Sequence, residues 1–303
     1  MNYPLTLEDQ PKIPPGLILI IAVFSVSISA ILIRFSISPP LIVALYRQLF
    51  CAVLFLPFAQ RISWPSLERQ QILLLILSGF FLALHFGSWI ISLLYTSVAR
   101  ATLLVDLQPI WAAILAALFL KERLSRKEIF AILLVTAGGV LCVSKEILQS
   151  SPSLIGDALA VFGGIAGAAY FLIGRAMRSK ISWTQYMFVV YKISAIWLLI
   201  INLLLVHKFP VPQQRDLFWI FLMALFPGIL GHGLLNLSLR YFKTYVVNTA
   251  LLLEPVLATI FAFLFFHEIP ELNFYAGAVI VLMGLFLIFW QIRDYNDKTE
   301  RRF

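Results

Sequence analysis

The sequence predicts an all-α integral membrane protein, with ten transmembrane helices arranged as two inverted five-helix repeats. Its composition predicts the membrane, because 61% of the 303 residues are hydrophobic and only 13% are charged, against roughly 25% charged in a soluble domain. The charged residues also lie in short gaps between long apolar runs. The net charge of +8 therefore indicates loops at a membrane surface and argues against a nucleic-acid partner.

Apolar segments long enough to cross a bilayer recur along the whole chain, since a spanning helix needs about 20 such residues. We predict spans at 16–34, 39–59, 70–95, 100–120, 127–144, 154–174, 183–206, 217–239, 245–266 and 270–291. Ser125 and Glu128 form a capping box at the start of the fifth span. In the sixth span, Gly163-x-x-x-Gly167 predicts a close approach of another helix.

The basic residues are distributed unevenly between the two sides of the membrane. If the N-terminus is inside, sixteen of the 23 Lys and Arg residues fall on the inner side and five on the outer side. Because basic residues favour the cytoplasmic side, we expect both termini to be cytoplasmic. The expected location is the plasma membrane (a bacterial inner membrane), in contact with its lipids, and no cleaved leader is expected.

An internal repeat relates the fourth and fifth spans to the ninth and tenth. LQPIWAAILAALFLKE at 107–122 aligns with LEPVLATIFAFLFFHE at 253–268 at a constant offset of 146 residues. Earlier spans match in the same order: Tyr46-Arg47 with Tyr191-Lys192, and His85-x-x-x-Trp89 with His232-x-x-x-Asn236.

Each repeat holds five spans, an odd number, so the second repeat must cross the membrane in the opposite sense. We place the first repeat at 16–145 and the second at 152–291, with cytoplasmic segments at 1–15 and 292–303. Inverted repeats are a recurring plan of secondary transporters, in which the substrate binds near the midplane between the two halves.

These doubled elements resemble the EamA type of the drug/metabolite transporter superfamily. The resemblance covers about 16–291 and rests on an L-x-P-[IV] element, an apolar run and a Glu, seen twice, and on Arg47 with its counterpart Lys192. It implies a ten-helix carrier with alternating access. Members mostly export amino acids and other metabolites, and some take up cofactors or nucleotide derivatives. The sequence departs from the family at Lys121 and His267, where a small residue is usual.

Polar side chains within the spans are the candidate substrate-binding residues, because a charge at mid-bilayer costs roughly 2.5–3.5 kcal/mol on insertion scales. The set is His85, Trp89, Asp106, Gln108, His232, Asn236 and Glu254. The structural alternatives are hydrogen bonds between helices for the histidines and Asn236, and a salt bridge with Arg100 or Arg47 for Asp106.

Two further pairs carry expectations of their own. Arg47 and Lys192 are candidate charge partners for the two acids, or could attract a carboxylate or phosphate. Pro109 and Pro255 are expected to kink their helices, and the kinks serve either as gate hinges or as packed structural bends.

We expect a secondary transporter that moves a small molecule, an amino acid or a related zwitterion or organic ion, by alternating access and in the direction of export. The absence of G-x-x-x-x-G-K-[ST] argues against direct drive by ATP, and a proton is a candidate coupling ion. Uptake of a nucleotide-derived cofactor or metabolite is the alternative. An intramembrane enzyme is a remote one, since neither H-E-x-x-H nor G-x-S-x-G occurs. No catalytic residue, cofactor or metal is expected, and the oligomeric state stays open.

Overall fold

The computed structural model describes residues 13–122, 124–149, 153–206, 209 and 211–300, in which every regular element is a helix. Its helices are α1 (Pro15–Ser27), α2 (Ser29–Arg34), α3 (Pro40–Ala59), α4 (Arg69–Ser92), α5 (Val98–Val105), α6 (Gln108–Phe119), α7 (Arg126–Cys142), α8 (Ser144–Gln149), α9 (Leu154–Met177), α10 (Trp183–Val206), α11 (Asp216–Met223), α12 (Leu234–Ser238), α13 (Thr244–Leu251), α14 (Glu254–Phe266) and α15 (Leu272–Glu300). A π-helical segment, Ala224–Gly233, joins α11 to α12. Residues 1–12 and 301–303 of the two predicted tails lie outside the described residues.

The predicted membrane spans correspond to these helices. Within the described part of the chain, nine helical segments are long and apolar enough to cross a bilayer. The fifth predicted span is α7, whose 17 residues extend about 25 Å at 1.5 Å per residue, and α7 packs along α15. The chain is therefore an all-α, multi-pass membrane protein.

Several spans are interrupted rather than continuous. The fourth span is divided between α5 and α6, the ninth between α13 and α14, and the eighth contains the π-helical segment. Pro109 and Pro255 each lie in the first turn of the second half-helix, where a missing N–H costs nothing. A two-residue turn, at 106–107 or 252–253, precedes the half-helix that carries each proline.

The helices pack as an inverted repeat requires. Three spans of the first half pack against their own counterparts: α3 on α10, α6 on α13, and α7 on α15. The third span packs on the sixth (α4 on α9), and the eighth packs on the first (the π-helical segment on α1). The third and eighth spans are counterparts, and so are the sixth and first. The contact between the eighth and first spans is therefore the symmetry-related copy of the contact between the third and sixth. This arrangement brings the two broken spans side by side.

Candidate functional site

A small cavity lies where the divided fourth and ninth spans meet. Its volume is about 20 Å³, which is room for about one water molecule. The cavity is lined by Val26, Ser29, Arg47, His85, Phe86, Trp89, Val105, Asp106, Gln108, His232, Leu251 and Glu254. Six of the seven predicted substrate-binding residues are therefore in one place, together with Arg47.

Arg47 brings a positive charge to the cavity from α3. The residue is 1% exposed, and its guanidinium carbon lies 4.2 Å from the centroid of the Phe86 ring, a cation–π contact. Its Nε has no hydrogen-bond partner, and none of the salt bridges among the described residues includes it. A buried cation is costly unless an opposite charge offsets it, and Glu254 is close enough to interact electrostatically with Arg47.

Asp106 and Glu254 bring two carboxyl groups to the same cavity. Asp106 follows the last residue of α5, and Glu254 is the first residue of α14. Oδ2 of Asp106 has no hydrogen-bond partner, and Glu254 interacts electrostatically with both Asp106 and Arg47. A salt bridge between Asp106 and Arg100 is absent because Arg100 pairs with Asp157 instead, with Nη2 2.5 Å from Oδ2.

One histidine from each half of the molecule faces the cavity. The ring centroids of His85 and His232 are 5.7 Å apart, and the Phe86 ring lies 4.9 Å from that of His232. Nδ1 of His85 donates a hydrogen bond of 2.9 Å to the carbonyl oxygen of Gly163 in α9. That bond leaves Nε2 of His85 as the second nitrogen for other partners.

Gly167 makes room for two of the lining side chains. A Cβ at this position would lie 2.4 Å from Oε1 of Gln108 and 2.7 Å from Nδ1 of His85. The Gly163-x-x-x-Gly167 pattern predicted a close helix approach, and α9 does pack closely on α4. The pattern did not indicate that Gly167 also holds the space for Gln108 and His85.

Several polar atoms that line the cavity have no hydrogen-bond partner among the described residues. The buried atoms that have no hydrogen-bond partner include Oγ of Ser29, Nε of Arg47, Nε1 of Trp89, Oδ2 of Asp106, Oε1 of Gln108 and Nδ1 of His232. Each such atom costs about 1–3 kcal/mol when it stays unpaired, and protein interiors contain few of them. Because the set includes donors and acceptors, and charges of both signs, the cavity is suited to a ligand that carries both.

Helix ends add fixed partial charges beside these side chains. The N-termini of α6 and α14 and the C-termini of α5 and α13 all lie at the two breaks. An N-terminus is partially positive and a C-terminus partially negative, and discontinuous transporter helices use both ends to hold charged groups. Glu254 therefore sits in the first turn of α14, a favourable helix end, whereas Asp106 directly follows α5, an unfavourable end that the nearby start of α6 partly offsets.

Two predicted residues lie elsewhere. Asn236 is one helical turn beyond His232 and accepts a hydrogen bond from Arg178 on its backbone oxygen, at 3.0 Å. Lys192 is exposed, with Nζ 6.0 Å from the centroid of the Phe188 ring, and it pairs with neither acid of the cavity.

The position of Lys192 has a geometric cause. Adjacent residues point about 100° apart on a helix, and Tyr191 and Lys192 face different ways. Tyr191 takes the inner face, 1% exposed, and its hydroxyl donates a hydrogen bond of 2.8 Å to the carbonyl oxygen of Gly228. The alignment of Lys192 with Arg47 in the doubled motif therefore does not extend to the direction of the side chains.

Several lining residues had no signal in the sequence. Phe86 is one apolar residue among many, and nothing in its type or spacing marked it as the partner of Arg47. Ser29 begins α2, just after the helix break at Ile28. Within the described residues, no group of three or more His, Cys, Asp or Glu side chains is placed to hold a metal ion.

Comparison with known proteins decides the family. The EamA-like transporter family model matches residues 14–144 and 154–290. The chain belongs to this family. It is therefore a transporter of the drug/metabolite transporter superfamily, as its doubled motifs predicted.

Relatives of this EamA-like transporter include carriers in both directions. It is 26% identical over 263 residues to the S-adenosylmethionine uptake transporter of Rickettsia conorii, covering 85% of this chain and 86% of that one. It is 26% identical over 222 residues to the pseudopaline exporter CntI of Pseudomonas aeruginosa, covering 72% and 75%. The uncharacterized transporter YyaM of Bacillus subtilis is 24% identical over 258 residues, covering 82% and 83%.

A solved crystal structure has the same fold as this transporter. The match has a TM-score of 0.77 at 14% sequence identity and covers 93% of this chain and 98% of that one. The shared fold extends across both repeats, since so little of either chain is left unmatched.

Proposed function

We propose that this EamA-like transporter moves a small zwitterionic metabolite, an amino acid or a close derivative, across the plasma membrane by alternating access, in the direction of export. The observation that carries the proposal is the convergence of Arg47, Asp106 and Glu254 on one cavity at the two helix breaks. A zwitterion supplies a partner for each sign of charge. The pseudopaline exporter among the relatives supports the direction.

The two ends of the substrate have separate partners in the cavity. Its carboxylate accepts hydrogen bonds from the guanidinium of Arg47 and from Nε1 of Trp89. Its ammonium group donates to Asp106 and Glu254, and an ammonium beside Asp106 offsets the unfavourable end of α5. Substrate side chains of moderate size contact Phe86 and the other apolar lining residues.

The charges in the cavity also bear on coupling. One guanidinium faces two carboxyl groups, and a bound zwitterion adds no net charge. One of the two carboxyl groups, at Asp106 or Glu254, is then available to carry a proton, which we propose as the coupling ion. His85 and His232 lie beside both and are the alternative carriers.

Alternating access follows from the repeat in this proposal. The cavity has room for about one water molecule, so each half must move against the other for the substrate to enter and leave. The breaks at Pro109 and Pro255 and the π-helical segment are the places where the spans bend at least cost. We place both termini in the cytoplasm, because the excess of basic residues then lies on the inner side.

Uptake of a nucleotide-derived metabolite is the second candidate, supported by the S-adenosylmethionine uptake transporters among the relatives. Such a substrate needs room for a purine ring, which the cavity of about 20 Å³ offers only after a large opening. Inhibition of transport by adenosine-bearing compounds, and no inhibition by simple amino acids, would favour this candidate.

Substrate counterflow in proteoliposomes tests the proposal. The purified transporter is preloaded with unlabelled amino acids in pools, and entry of each labelled pool is followed with and without a pH gradient. We expect saturable flux of one pool, recovered chemically unchanged, which Arg47→Gln abolishes and Lys192→Gln leaves intact. Flux of organic anions or amines alone, or no difference between the two variants, would contradict it.

A further inference from the structure

A second group of polar side chains, all buried or half-buried, lies next to the cavity, on the side where α9 and α12 end. We call it the Arg178 cluster, and it consists of Ser78, Tyr170, Arg178, Tyr186 and Asn236. Asn236 follows His232 by one helical turn, and Tyr170 precedes Phe171, whose ring stacks on that of His232 with centroids 6.0 Å apart. The cluster is thus continuous with the cavity along two helices.

Arg178 supplies the charge of this cluster. Its Nη2 donates to the backbone oxygen of Asn236, at 3.0 Å, and to the side-chain Oδ1 of the same residue. Its guanidinium carbon lies 5.6 Å from the centroid of the Tyr186 ring. Nε and Nη1 are buried and have no hydrogen-bond partner, so two of the three guanidinium nitrogens are unused.

The cluster is rich in donors and lacks a carboxylate. Among the described residues, no salt bridge includes Arg178, and Nδ2 of Asn236 has no hydrogen-bond partner either. The hydroxyl of Tyr186 is hydrogen-bonded to Oγ of Ser78 at 2.5 Å. A second guanidinium, that of Arg240, is close enough to interact electrostatically with Arg178. The ligand chemistry that this arrangement fits is an anion.

The cluster is tightly packed. A Cβ at Gly174 of α9 would lie 2.4 Å from Nδ2 of Asn236 and 3.2 Å from the hydroxyl of Tyr186. An anion therefore enters only when α9 and α12 move apart.

We propose that the Arg178 cluster is a second binding site for a carboxylate, which receives the carboxylate of the substrate as it passes between the cavity and the membrane face where α9 and α12 end. The identity of the occupant rests on the proposed function, whereas the preference for an anion rests on the cluster itself. Arg47 and Arg178 then hold the carboxylate in turn.

Thermal unfolding of the purified full-length protein tests this site without any transport. Acetate, the probe for a carboxylate, and inorganic phosphate, the probe for a free anion, are titrated into the Arg47→Gln variant, in which the cavity has lost its cation. We expect saturable stabilisation by acetate that is at least about tenfold weaker in apparent affinity when Arg178→Gln is added, as expected for a charged hydrogen bond. Lys180→Gln, which removes an exposed charge two residues from Arg178, is the matched control and retains the response.

Three results would overturn the proposal: no response of Arg47→Gln to acetate, the same response after Arg178→Gln, or stabilisation by phosphate alone. If Arg178→Gln does not fold, Arg178→Lys replaces it, since lysine keeps the charge and loses the planar fork of donors, and we expect a weakened response. Acetate binding without amino-acid flux would retain this site and refute the proposed function. Amino-acid flux without acetate binding would retain the proposed function and refute this site.

Discussion

The two broken spans carry their acids on opposite sides of the break. In the fourth span Asp106 follows α5, and in the ninth Glu254 opens α14. The counterpart of Asp106 at the offset of 146 residues is Leu252, which is fully buried and packs in an apolar cluster with Val135 and other residues of α5, α7, α14 and α15. The repeat thus gives both halves the same backbone break, and single substitutions give each break its own chemistry.

Helix electrostatics explains what this difference means for the protein. A carboxylate at a helix N-terminus is stabilised and one at a C-terminus is destabilised, each by about 0.3–1 kcal/mol and up to about 2 kcal/mol when partly buried. Glu254 therefore suits the resting protein, whereas Asp106 is held at a cost. A residue that is held at a cost and lines a cavity is the stronger candidate for contact with a substrate cation.

The largest expected effect is on transport when either acid is neutralised. Asp106→Asn and Glu254→Gln should each raise the KM for the zwitterion by about 10–100-fold, the range for a lost charge-assisted hydrogen bond. Counterflow at graded substrate concentrations measures the KM of each variant. A KM that is unchanged in both variants would remove the acids from the binding site.

The same two variants should differ in stability, which sharpens the comparison. Asp106→Asn is expected to raise the melting temperature of the unliganded protein, because it removes a carboxylate from the end of α5. Glu254→Gln is expected to lower it, because it removes one from the start of α14. Melting curves of both variants in detergent measure the two shifts of the melting temperature. Equal shifts in one direction would contradict the helix-end argument.

Moving the acid from one break to the other separates backbone symmetry from chemistry. In the double variant Asp106→Leu with Leu252→Asp, the new carboxyl group lies in the apolar cluster around position 252. We expect loss of flux and a melting temperature lower than that of Asp106→Leu alone, since an unpaired buried carboxyl group destabilises. Flux like that of the unaltered protein would mean that the two positions are interchangeable.

Glycine substitutions offer a smaller and more selective effect. Gly167→Ala should disturb Gln108 and His85 and raise the KM several-fold. Gly138→Ala, where a Cβ would lie 2.7 Å from the backbone nitrogen of Val281, should cost about 1–3 kcal/mol of stability with the KM unchanged. Melting and counterflow of both variants test this. A change of the KM in Gly138→Ala but not in Gly167→Ala would contradict the placement of Gly167 beside the binding site.

The smallest effect is expected at the prolines. Pro109→Ala and Pro255→Ala restore a backbone N–H in the first turn of α6 and α14, where no helical partner exists for it. We expect each to change the maximal flux by less than about threefold and leave the KM unchanged. Initial rates at saturating substrate measure this, and a complete loss of flux in either variant would show that the ring itself is needed at the break.

The spans and the repeat could be predicted from the sequence because their signals are long. About 20 apolar residues mark each span, and the doubled L-x-P element fixed the relation between the halves. The polar residues of the cavity could be predicted as well, since polar groups inside a membrane are expensive. Residues such as Asp106 and His232 therefore stood out individually.

The direction in which a side chain points could not be predicted in the same way. Helices that are apolar all round have no polar face to orient them, so Tyr191 and Lys192 were equally plausible inward residues. The roles of Phe86 and Gly167 depend on neighbours from other helices, and sequence spacing does not specify these contacts. The π-helical segment was marked only by Pro227 and nearby glycines, which permit several kinds of bend.

Competition by charge-deleted analogues tests the central claim most directly, namely that the cavity binds both ends of a zwitterion. Counterflow of the transported amino acid is measured against its amine, which lacks the carboxylate, and its carboxylic acid, which lacks the ammonium group. We predict that both analogues compete at least about tenfold more weakly than the unlabelled amino acid, because each leaves one charged partner unpaired. Competition by either analogue as strong as that of the amino acid itself would contradict the claim.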